Sequence, residues 1–126
     1  MNRTKNRVEI RGFVGRYIKL PSKRGDPARF DVATVERFRT NSGELVTDKN
    51  WHTVRSFDVE KVEDEIHTGA LVEVCGRMDT SLIDKRYKHV EITADNFEVL
   101  LTQDQRDTLR EAYEEDSDDE EVLARP

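Results

Sequence analysis

Hydrophobic and polar residues alternate along several stretches of this chain. Such alternation predicts β-strands, because successive strand side chains point to opposite faces. The first stretch covers residues 7–18 and contains Gly12 and Gly15, which favour a long strand that bends. The next two stretches, residues 30–39 and 49–57, flank a polar loop and predict a long-loop hairpin.

After the hairpin the pattern changes to helical spacing. Val59, Val62 and Ile66 recur at intervals that place them on one face of a helix. Asp58 can cap the first turn, and Gly69 follows shortly after the last turn. The sequence therefore predicts a short amphipathic helix after the third strand.

Two further strands are predicted at residues 70–78 and 86–100, the second with an irregularity at Asp95. Loops are predicted at residues 20–28 and 79–85 from their Pro, Gly and polar content. Three strands, a helix and two strands indicate an all-β, five-stranded Greek-key barrel with a short helix between strands 3 and 4, the OB-fold. An SH3-like barrel or a small sandwich is the alternative.

The end of the chain differs in composition from the predicted barrel. Thr102 and Gln105 fit a capping box, which predicts a further short helix. Residues 114–121 are acidic apart from one serine and cannot form a core, so disorder is expected there. The sequence thus predicts a barrel domain at residues 1–101, then a short helix and a disordered acidic tail at residues 102–126.

Charge is distributed unevenly along the chain, which has 126 residues and a net charge of −6. Residues 1–39 contain eleven Lys and Arg against four Asp and Glu, whereas residues 104–126 contain three Arg against ten Asp and Glu. This asymmetry favours a basic binding surface and an acidic tail. The tail could repel nucleic acid, compete for the basic surface or recruit a basic protein partner. Alternatively, it only improves solubility.

Several classes of protein find no support in the sequence. No apolar run approaches the ~20 residues of a membrane span, and no signal peptide is recognisable, so we expect a cytoplasmic protein without membrane contact. The single cysteine, Cys75, lies in an apolar strand and is interpreted as a small buried residue. Phosphate-binding glycine loops, nucleophile motifs and metal-ligand spacings are missing, so we predict no enzyme, metal or cofactor.

Aromatic and basic residues are interleaved in the predicted hairpin. Trp51, Arg55 and Phe57 fall on alternate positions of one strand and should share a face. Phe38 and Arg39 lie where the other strand enters the loop. Rings that stack on bases and cations that pair with phosphates are what a single-stranded nucleic acid requires. The alternative is that the rings belong to the core, although a core face would not normally carry an arginine.

The candidate binding residues comprise hairpin aromatics, cations of the hairpin and the first loop, and a basic–aromatic cluster at the start of strand 5. They are Phe38, Trp51, Phe57, Arg39, Lys49, Arg55, Lys19, Lys23, Arg24, Arg37, Arg86, Tyr87 and Lys88. Binding of phosphates by these cations should release counterions. Affinity is then expected to fall by about 0.7 log units per log unit of salt for each phosphate engaged.

Several segments resemble the bacterial single-stranded DNA-binding protein family. The similar segments occur in the same order and with similar spacing, at residues 6–15, 30–34, 51–57, 69–76 and 86–92. The resemblance implies an OB-fold homotetramer, or a dimer, that is associated with the bacterial nucleoid. It would bind single-stranded DNA without sequence specificity and protect it during replication, recombination or repair.

The resemblance also implies roles for individual residues. Phe38, Trp51 and Phe57 match positions that stack on bases, and His52 matches a position at a subunit contact. The family's further stacking tryptophan has no aromatic counterpart near Ile83, so a reduced stacking surface is expected. The acidic run ends without the aromatic tip that docks the family's usual protein partners.

Two other functions remain open at this point. The barrel could serve as a protein-interaction module, or as a primosome-type accessory module, with weak or no DNA binding. The nearly neutral balance of residues 1–103 and the missing aromatic near Ile83 favour the protein-interaction module slightly, whereas the aromatic and basic residues of the hairpin favour DNA binding. DNA affinity and oligomeric state separate the three possibilities.

Deletion of residues 114–126 is expected to raise the affinity for single-stranded DNA at low salt, because an acidic segment would no longer compete for the basic surface. The measurement is a titration of the full and truncated chains with one oligonucleotide at low and high salt. Equal affinities at low salt would contradict a competing tail.

Overall fold

Five strands close into a barrel in the computed structural model, which describes residues 3–83 and 87–113, with side chains for all of these except 81–83, 87, 88 and 113. The elements are β1 (Val8–Lys19), β2 (Ala28–Arg39), β3 (Leu45–Ser56), α1 (Val59–Glu65), β4 (Leu71–Ile83), β5 (Tyr87–Leu101) and α2 (Gln103–Tyr113). The order around the barrel is β1, β2, β3, β5, β4. The predicted OB-fold, with its helix between strands 3 and 4, is confirmed.

The long first strand is a neighbour of two others. Residues 8–13 of β1 pair with β4, and residues 13–19 pair with β2. The register with β2 shifts between Val14 and Ile18, which marks an irregularity in the ladder. A side chain at Gly12 would collide with the carbonyl oxygen of Ala33, so the backbones can approach only at a glycine. The prediction of a long first strand that is interrupted near its glycines and pairs on both sides is therefore confirmed.

The core lies inside the barrel and beneath α1. Its fully buried strand side chains share the inward parity and are Val14, Phe30, Val32, Val54, Val72 and Val74. From α1 and its end, Val62 and Ile66 close the core, and the Asp58 carboxylate caps the helix by accepting from the Lys61 N–H at 3.4 Å. The predicted helix and its cap are confirmed.

The hairpin is longer than its polarity suggests. β3 begins at Leu45, so the loop contains only residues 40–44, and the prediction of a loop to residue 48 was wrong. The turn is closed by the Thr40 N–H, which donates to the Glu44 carbonyl at 2.9 Å. The outer part of this hairpin, residues 35–50, is called the projecting arm. Both of its faces are largely exposed, so its strand sequence carries no apolar stripe.

β4 and β5 also extend beyond the barrel. The predicted loop at residues 79–85 was wrong for residues 79–83, which continue β4 and pair with β5. Residues 84–86 lie outside the described part of the chain. Val90, predicted to point inward, is exposed because its strand has left the barrel at that point. The predicted irregularity at Asp95 is confirmed by a register shift opposite Cys75 and Gly76.

One smaller prediction concerns the burial of Cys75. Cys75 is only half-buried, with its Sγ atom 3.9 Å from a carboxylate oxygen of Glu9, so its assignment to the core was wrong. It lies on the outward parity of β4, opposite Glu9 of β1.

Thr102 and Gln105 form the predicted capping box at the start of α2. The Thr102 N–H donates to Gln105 Oε1 at 2.9 Å, and the Gln105 N–H donates to Thr102 Oγ1 at 3.1 Å.

Helix α2 packs against the outside of the barrel through Arg106. This buried guanidinium lies 4.1 Å from the ring centroid of Phe13 and donates to the carbonyl of Gly69. An apolar ring on the outer face of β1 is thereby covered. No helix within the described residues has the length and apolarity needed to cross a bilayer. The acidic residues 114–126 lie outside the described part, and the domain division at residue 101 stays a prediction.

Candidate nucleic-acid interface

The outer face of β1, β2 and β3 presents side chains in rows that cross the strands. Residues that lie opposite each other in an antiparallel ladder point to the same face. Across β2 and β3 the outward pairs are Ala33–Trp51, Asp31–Thr53 and Arg29–Arg55. We call this surface the outer face. It contains most of the candidates whose side chains are described.

Trp51 lies on the outside of the barrel rather than inside it. The residue is 51% exposed, and the edge of its ring lies so close to β1 that a Cβ atom on Gly15 would be 2.5 Å from Cζ3. The ring therefore crosses β2 above the small, buried Ala33 and rests on the Gly15 backbone. The ammonium nitrogen of Lys49 is 5.4 Å from the ring centroid. An aromatic surface is thus held in place and remains open to solvent.

Phe57 and Arg55 extend the outer face past the end of β3. Phe57 is 59% exposed, and the Arg55 guanidinium carbon lies 6.0 Å from its ring centroid. Arg55 is held from the other side, because its Nε donates to Thr93 Oγ1 at 2.7 Å and its Nη2 lies 3.4 Å from Asp79. The alternation predicted for Trp51, Arg55 and Phe57 is therefore present, but the cation already has a carboxylate partner.

A row of residues in register crosses all five strands of the barrel, and four of its five members are cations. From β1 to β4 it consists of Lys19, Arg29, Arg55, Thr93 and Arg77. Carboxylates flank this row, with Arg29 Nε 2.6 Å from Glu91 and Arg77 Nε 3.6 Å from Asp79. The outer face is therefore an ordered network of ion pairs rather than a uniformly positive surface.

Two of these carboxylates have perturbed acidities. The Arg29 guanidinium holds the pKa of Glu91 below its ordinary value, although burial of Glu91 opposes this. The Thr93 hydroxyl, followed by the charges of Arg77 and Arg55, lowers the pKa of Asp79. Both groups are therefore negatively charged at neutral pH and hold the guanidinium groups in fixed positions.

Phe38 is separated from Trp51 by the pleat of the hairpin. In register Phe38 lies opposite Val46, whereas Trp51 lies opposite Ala33. Ala33 and Phe38 are an odd number of residues apart in one regular strand, so the two aromatics point to opposite faces. Phe38 is 48% exposed on the projecting arm. The structure thus does not bring the predicted stacking residues together on one surface.

The remaining cations are dispersed. Lys23 and Arg24 are exposed in the loop between β1 and β2. Arg39 lies at the end of the arm and donates to the Gly43 carbonyl at 3.0 Å, while Arg37 is half-buried on the outward parity of β2. Arg86 lies outside the described residues. For Tyr87 and Lys88 only the backbone in β5 is described.

His52 occupies a different surface from the rows of the outer face. It is half-buried, and its ring Nε2 lies 2.8 Å from Thr34 Oγ1. It borders an apolar opening of about 250 Å³ at one end of the barrel, next to Ile10, Met78 and Val90. Met78 and Val90 are exposed there. Across residues 3–83 and 87–113, no group of three His, Cys, Asp or Glu side chains could hold a metal ion.

Sequence reasoning missed five residues of the outer face and of its continuation onto β4 and β5. They are Tyr17, Arg29, Asp31, Arg77 and Glu91. Tyr17 alternates with Lys19 in the first strand, and this local signal could have placed it outward. The pairing of Arg29 with Glu91 joins residues 62 positions apart, which requires the strand order of the barrel. No local pattern carries that information.

Comparisons with known proteins agree with this geometry. The model of the Single-strand binding protein family matches residues 5–100. A Plasmodium falciparum SSB in complex with ssDNA is 25% identical, with a TM-score of 0.63 over 81% of this chain and 99% of that chain. No curated protein sequence matches this chain.

Two further solved structures are similar at lower identity, which supports the fold alone. A deletion mutant of the single-stranded DNA-binding protein from Thermus aquaticus is 20% identical, with a TM-score of 0.66 over 80% of this chain and 53% of that chain. A small single-stranded DNA-binding protein from Streptomyces coelicolor is 16% identical, with a TM-score of 0.59 over 76% of this chain and 95% of that chain.

Gly15→Ala is expected to displace the Trp51 ring without unfolding the barrel, because the added methyl group meets the far end of a side chain. Indole emission should shift to longer wavelength, and acrylamide should quench it more strongly. Gly12→Ala is the matched control, since its methyl group meets the Ala33 backbone and should cost about 1–3 kcal/mol of stability. Unchanged emission in Gly15→Ala would show that the ring does not rest on Gly15.

Glu91→Gln is expected to lower the free energy of unfolding by about 1–2 kcal/mol at pH 7, because Arg29 loses its charged partner. The folded-state pKa of Glu91 lies below its ordinary value of 4.5, so the carboxylate contributes stability above pH 4.5. This contribution is lost as the pH falls through the folded-state pKa. Denaturant unfolding between pH 7 and pH 3 measures both effects.

The variant should therefore lose less stability on acidification than the wild type. Glu98→Gln, at an exposed position of the same strand, is the matched control and should follow the wild type. Equal acid sensitivity of Glu91→Gln and the wild type would contradict a stabilising pair between Arg29 and Glu91.

Proposed function

Because the chain belongs to the single-strand binding protein family, we propose that it binds single-stranded DNA on the outer face, with no defined recognition sequence. The observation that carries this proposal is the half-exposed Trp51 ring, fixed on Gly15 beside a row of cations. A ring that is ordered before binding loses little side-chain freedom when a base stacks on it. The role is binding rather than catalysis.

The proposed mechanism divides the work between rings and exposed cations. Bases stack on Trp51, which is on the outward side of β3, and on Phe57, which is exposed just past the end of that strand. The phosphates contact Lys19 and Lys49, for which no ion pair exists among the described residues, and the loop cations Lys23 and Arg24 extend the path. This distribution keeps positive charge at the edges of the stacking surface.

Arg29 and Arg55 contribute less than their charge suggests. Both are bound to carboxylates, so a phosphate must share them with Glu91 and Asp79. This observation favours the second candidate, an OB-fold interaction or primosome-type accessory module with weak DNA binding. The exposed rings favour the first, because each ring lies beside a cation, and stacked bases and their phosphates require this combination.

The projecting arm supplies further candidates. We propose that Phe38, Arg37 and Arg39 contact a strand that continues around the arm, because Phe38 faces away from Trp51. Arg86, Tyr87 and Lys88 stay candidates for DNA contact. We propose that residues 1–101 form the binding domain. By covering single-stranded DNA, this domain would protect it during replication, recombination or repair in the bacterial nucleoid.

We also propose that the chain forms a homo-oligomer, a tetramer or a dimer, through the apolar opening beside His52. Exposed Met78 and Val90 would be covered by this contact. Sedimentation of the full chain tests it, and a monomer at tens of micromolar would contradict it. The acidic residues 114–126 are proposed to compete for the cations or to recruit a basic protein partner.

Trp51→Leu is expected to weaken binding of an oligo-dT by about 5- to 100-fold, because stacking contributes about 1–3 kcal/mol per base. Trp51→Phe is the matched control and should retain most of the affinity, since it keeps a flat ring. The measurement is fluorescence anisotropy of labelled oligo-dT at several salt concentrations. Affinity should fall as salt increases for all three proteins.

Equal affinities of the folded Trp51→Leu variant and the wild type would exclude stacking on Trp51. No binding by the wild type at low salt would overturn the proposed function and favour the interaction module. If Trp51→Leu lowers the affinity for oligo-dT as expected and Phe38→Leu leaves it unchanged, the interface is restricted to the outer face.

A further inference from the structure

A pocket of about 600 Å³ lies beside Trp51, between the outer face and the first turn of α2. Two exposed aromatics, Trp51 and Tyr17, line it together with Arg16, Asp31 and Gln103. We propose that this pocket holds one base of the bound strand and prefers cytosine to thymine, because Asp31 accepts a hydrogen bond from the amino group of the base. The inference rests on the proposed function and adds a base preference to it.

The pocket exists because of the irregularity in β1. The register between β1 and β2 shifts from Val14 to Ile18, and Tyr17 projects outward beside Asp31. Gly15 has no side chain to fill the space next to the Trp51 ring, and Thr68 and Gly69 form part of the wall. The result is a concave site with ring surfaces for stacking and one carboxylate for orientation.

Asp31 differs from the other carboxylates of the outer face. Glu91 and Asp79 are each bound to arginines, whereas Asp31 forms no ion pair in the described part of the chain. Its Oδ1 accepts from Thr53 Oγ1 at 2.9 Å, which fixes the orientation of the group. Its Oδ2 accepts from no group among the described residues, so it is available to a ligand.

Asp31 also lines a neighbouring pocket with Lys19, Arg29 and Arg55, whose positive charges offset part of its negative charge beside a polyanion. An ionised carboxylate can only accept hydrogen bonds. Cytosine offers the amino group at N4, whereas thymine places the O4 carbonyl at the same position and would be repelled. Both bases have a single ring, so stacking on Trp51 should differ little between them. Asp31 is therefore the residue that distinguishes them.

The preference applies to one base position among several. Outside the pocket, stacking and phosphate contacts accept any base. Asp31 therefore biases binding toward strands rich in amino-bearing bases without defining a recognition sequence. Adenine and guanine also carry amino groups, but their larger rings change stacking as well, so the pyrimidine pair isolates the effect of the carboxylate.

The test is the affinity of the full chain for oligo-dC and oligo-dT of equal length, measured by anisotropy at one salt concentration and pH 7. We expect oligo-dC to bind about three- to tenfold more tightly, which is the range for one hydrogen bond of ordinary net strength on a solvent-exposed surface. In Asp31→Asn the preference should disappear or reverse, because an amide can donate to thymine O4.

Asp48→Asn is the matched control for removal of a negative charge. Asp48 is exposed on the same hairpin but on the opposite strand face, so its replacement should change both affinities by the same factor. Thr53→Val is a second variant should Asp31→Asn fail to fold. It removes the hydroxyl that orients the carboxylate and should reduce the ratio of the two affinities.

Three outcomes would overturn the inference. Equal wild-type affinities for oligo-dC and oligo-dT would remove the base preference and leave the proposed function intact. A preference that persists unchanged in folded Asp31→Asn would assign it to another residue. Binding of neither oligonucleotide at low salt would overturn the proposed function and the pocket with it.

Discussion

The structure depends on the ability of β1 to pair with two strands at once. Closure of the barrel requires β1 to leave β4 and join β2 within a few residues around Phe13. Gly12 permits the close approach to Ala33, and the register shift after Val14 absorbs the change in direction. The same segment places Gly15 beneath Trp51. The pairing of β1 with two strands closes the barrel, and the same segment thus also provides the surface on which the Trp51 ring rests.

Ion pairs hold the charged groups of the outer face in fixed positions and reduce its net positive charge. The guanidinium groups in the row across the barrel are bound by Glu91 and Asp79, which removes much of their net positive potential. Stacking must then carry a larger share of any binding energy than it would on a uniformly basic surface. The Asp31 carboxylate, which forms no ion pair among the described residues, is oriented by Thr53 and lies near the same guanidinium groups.

Local features of the fold were accessible from the sequence. The spacing of Val59, Val62 and Ile66 predicted α1, and the pair Thr102 and Gln105 predicted the start of α2, because caps and helical faces are encoded within a few residues. The bend at Gly12 was accessible for the same reason. The exposure of Trp51 and Phe57 followed from their alternation with Arg55.

The rest required the register of the barrel. The strand extensions at residues 45–48 and 79–83 carry no apolar stripe, because they project beyond the core. The separation of Phe38 from Trp51 depends on the pairing of Ala33 with Trp51, which the sequence does not specify. The ion pair of Arg29 with Glu91 crosses the closed sheet. Long-range pairing, rather than local propensity, decided these features.

The central claim is that single-stranded DNA binds to the outer face around Trp51 and Tyr17. Photochemical crosslinking of a halogenated single-stranded oligonucleotide to the full chain, followed by peptide mass spectrometry, tests this claim most directly. We predict crosslinks in the peptides that contain Trp51 and Tyr17. Crosslinks confined to the apolar opening around Met78 and Val90, with none on the outer face, would contradict it.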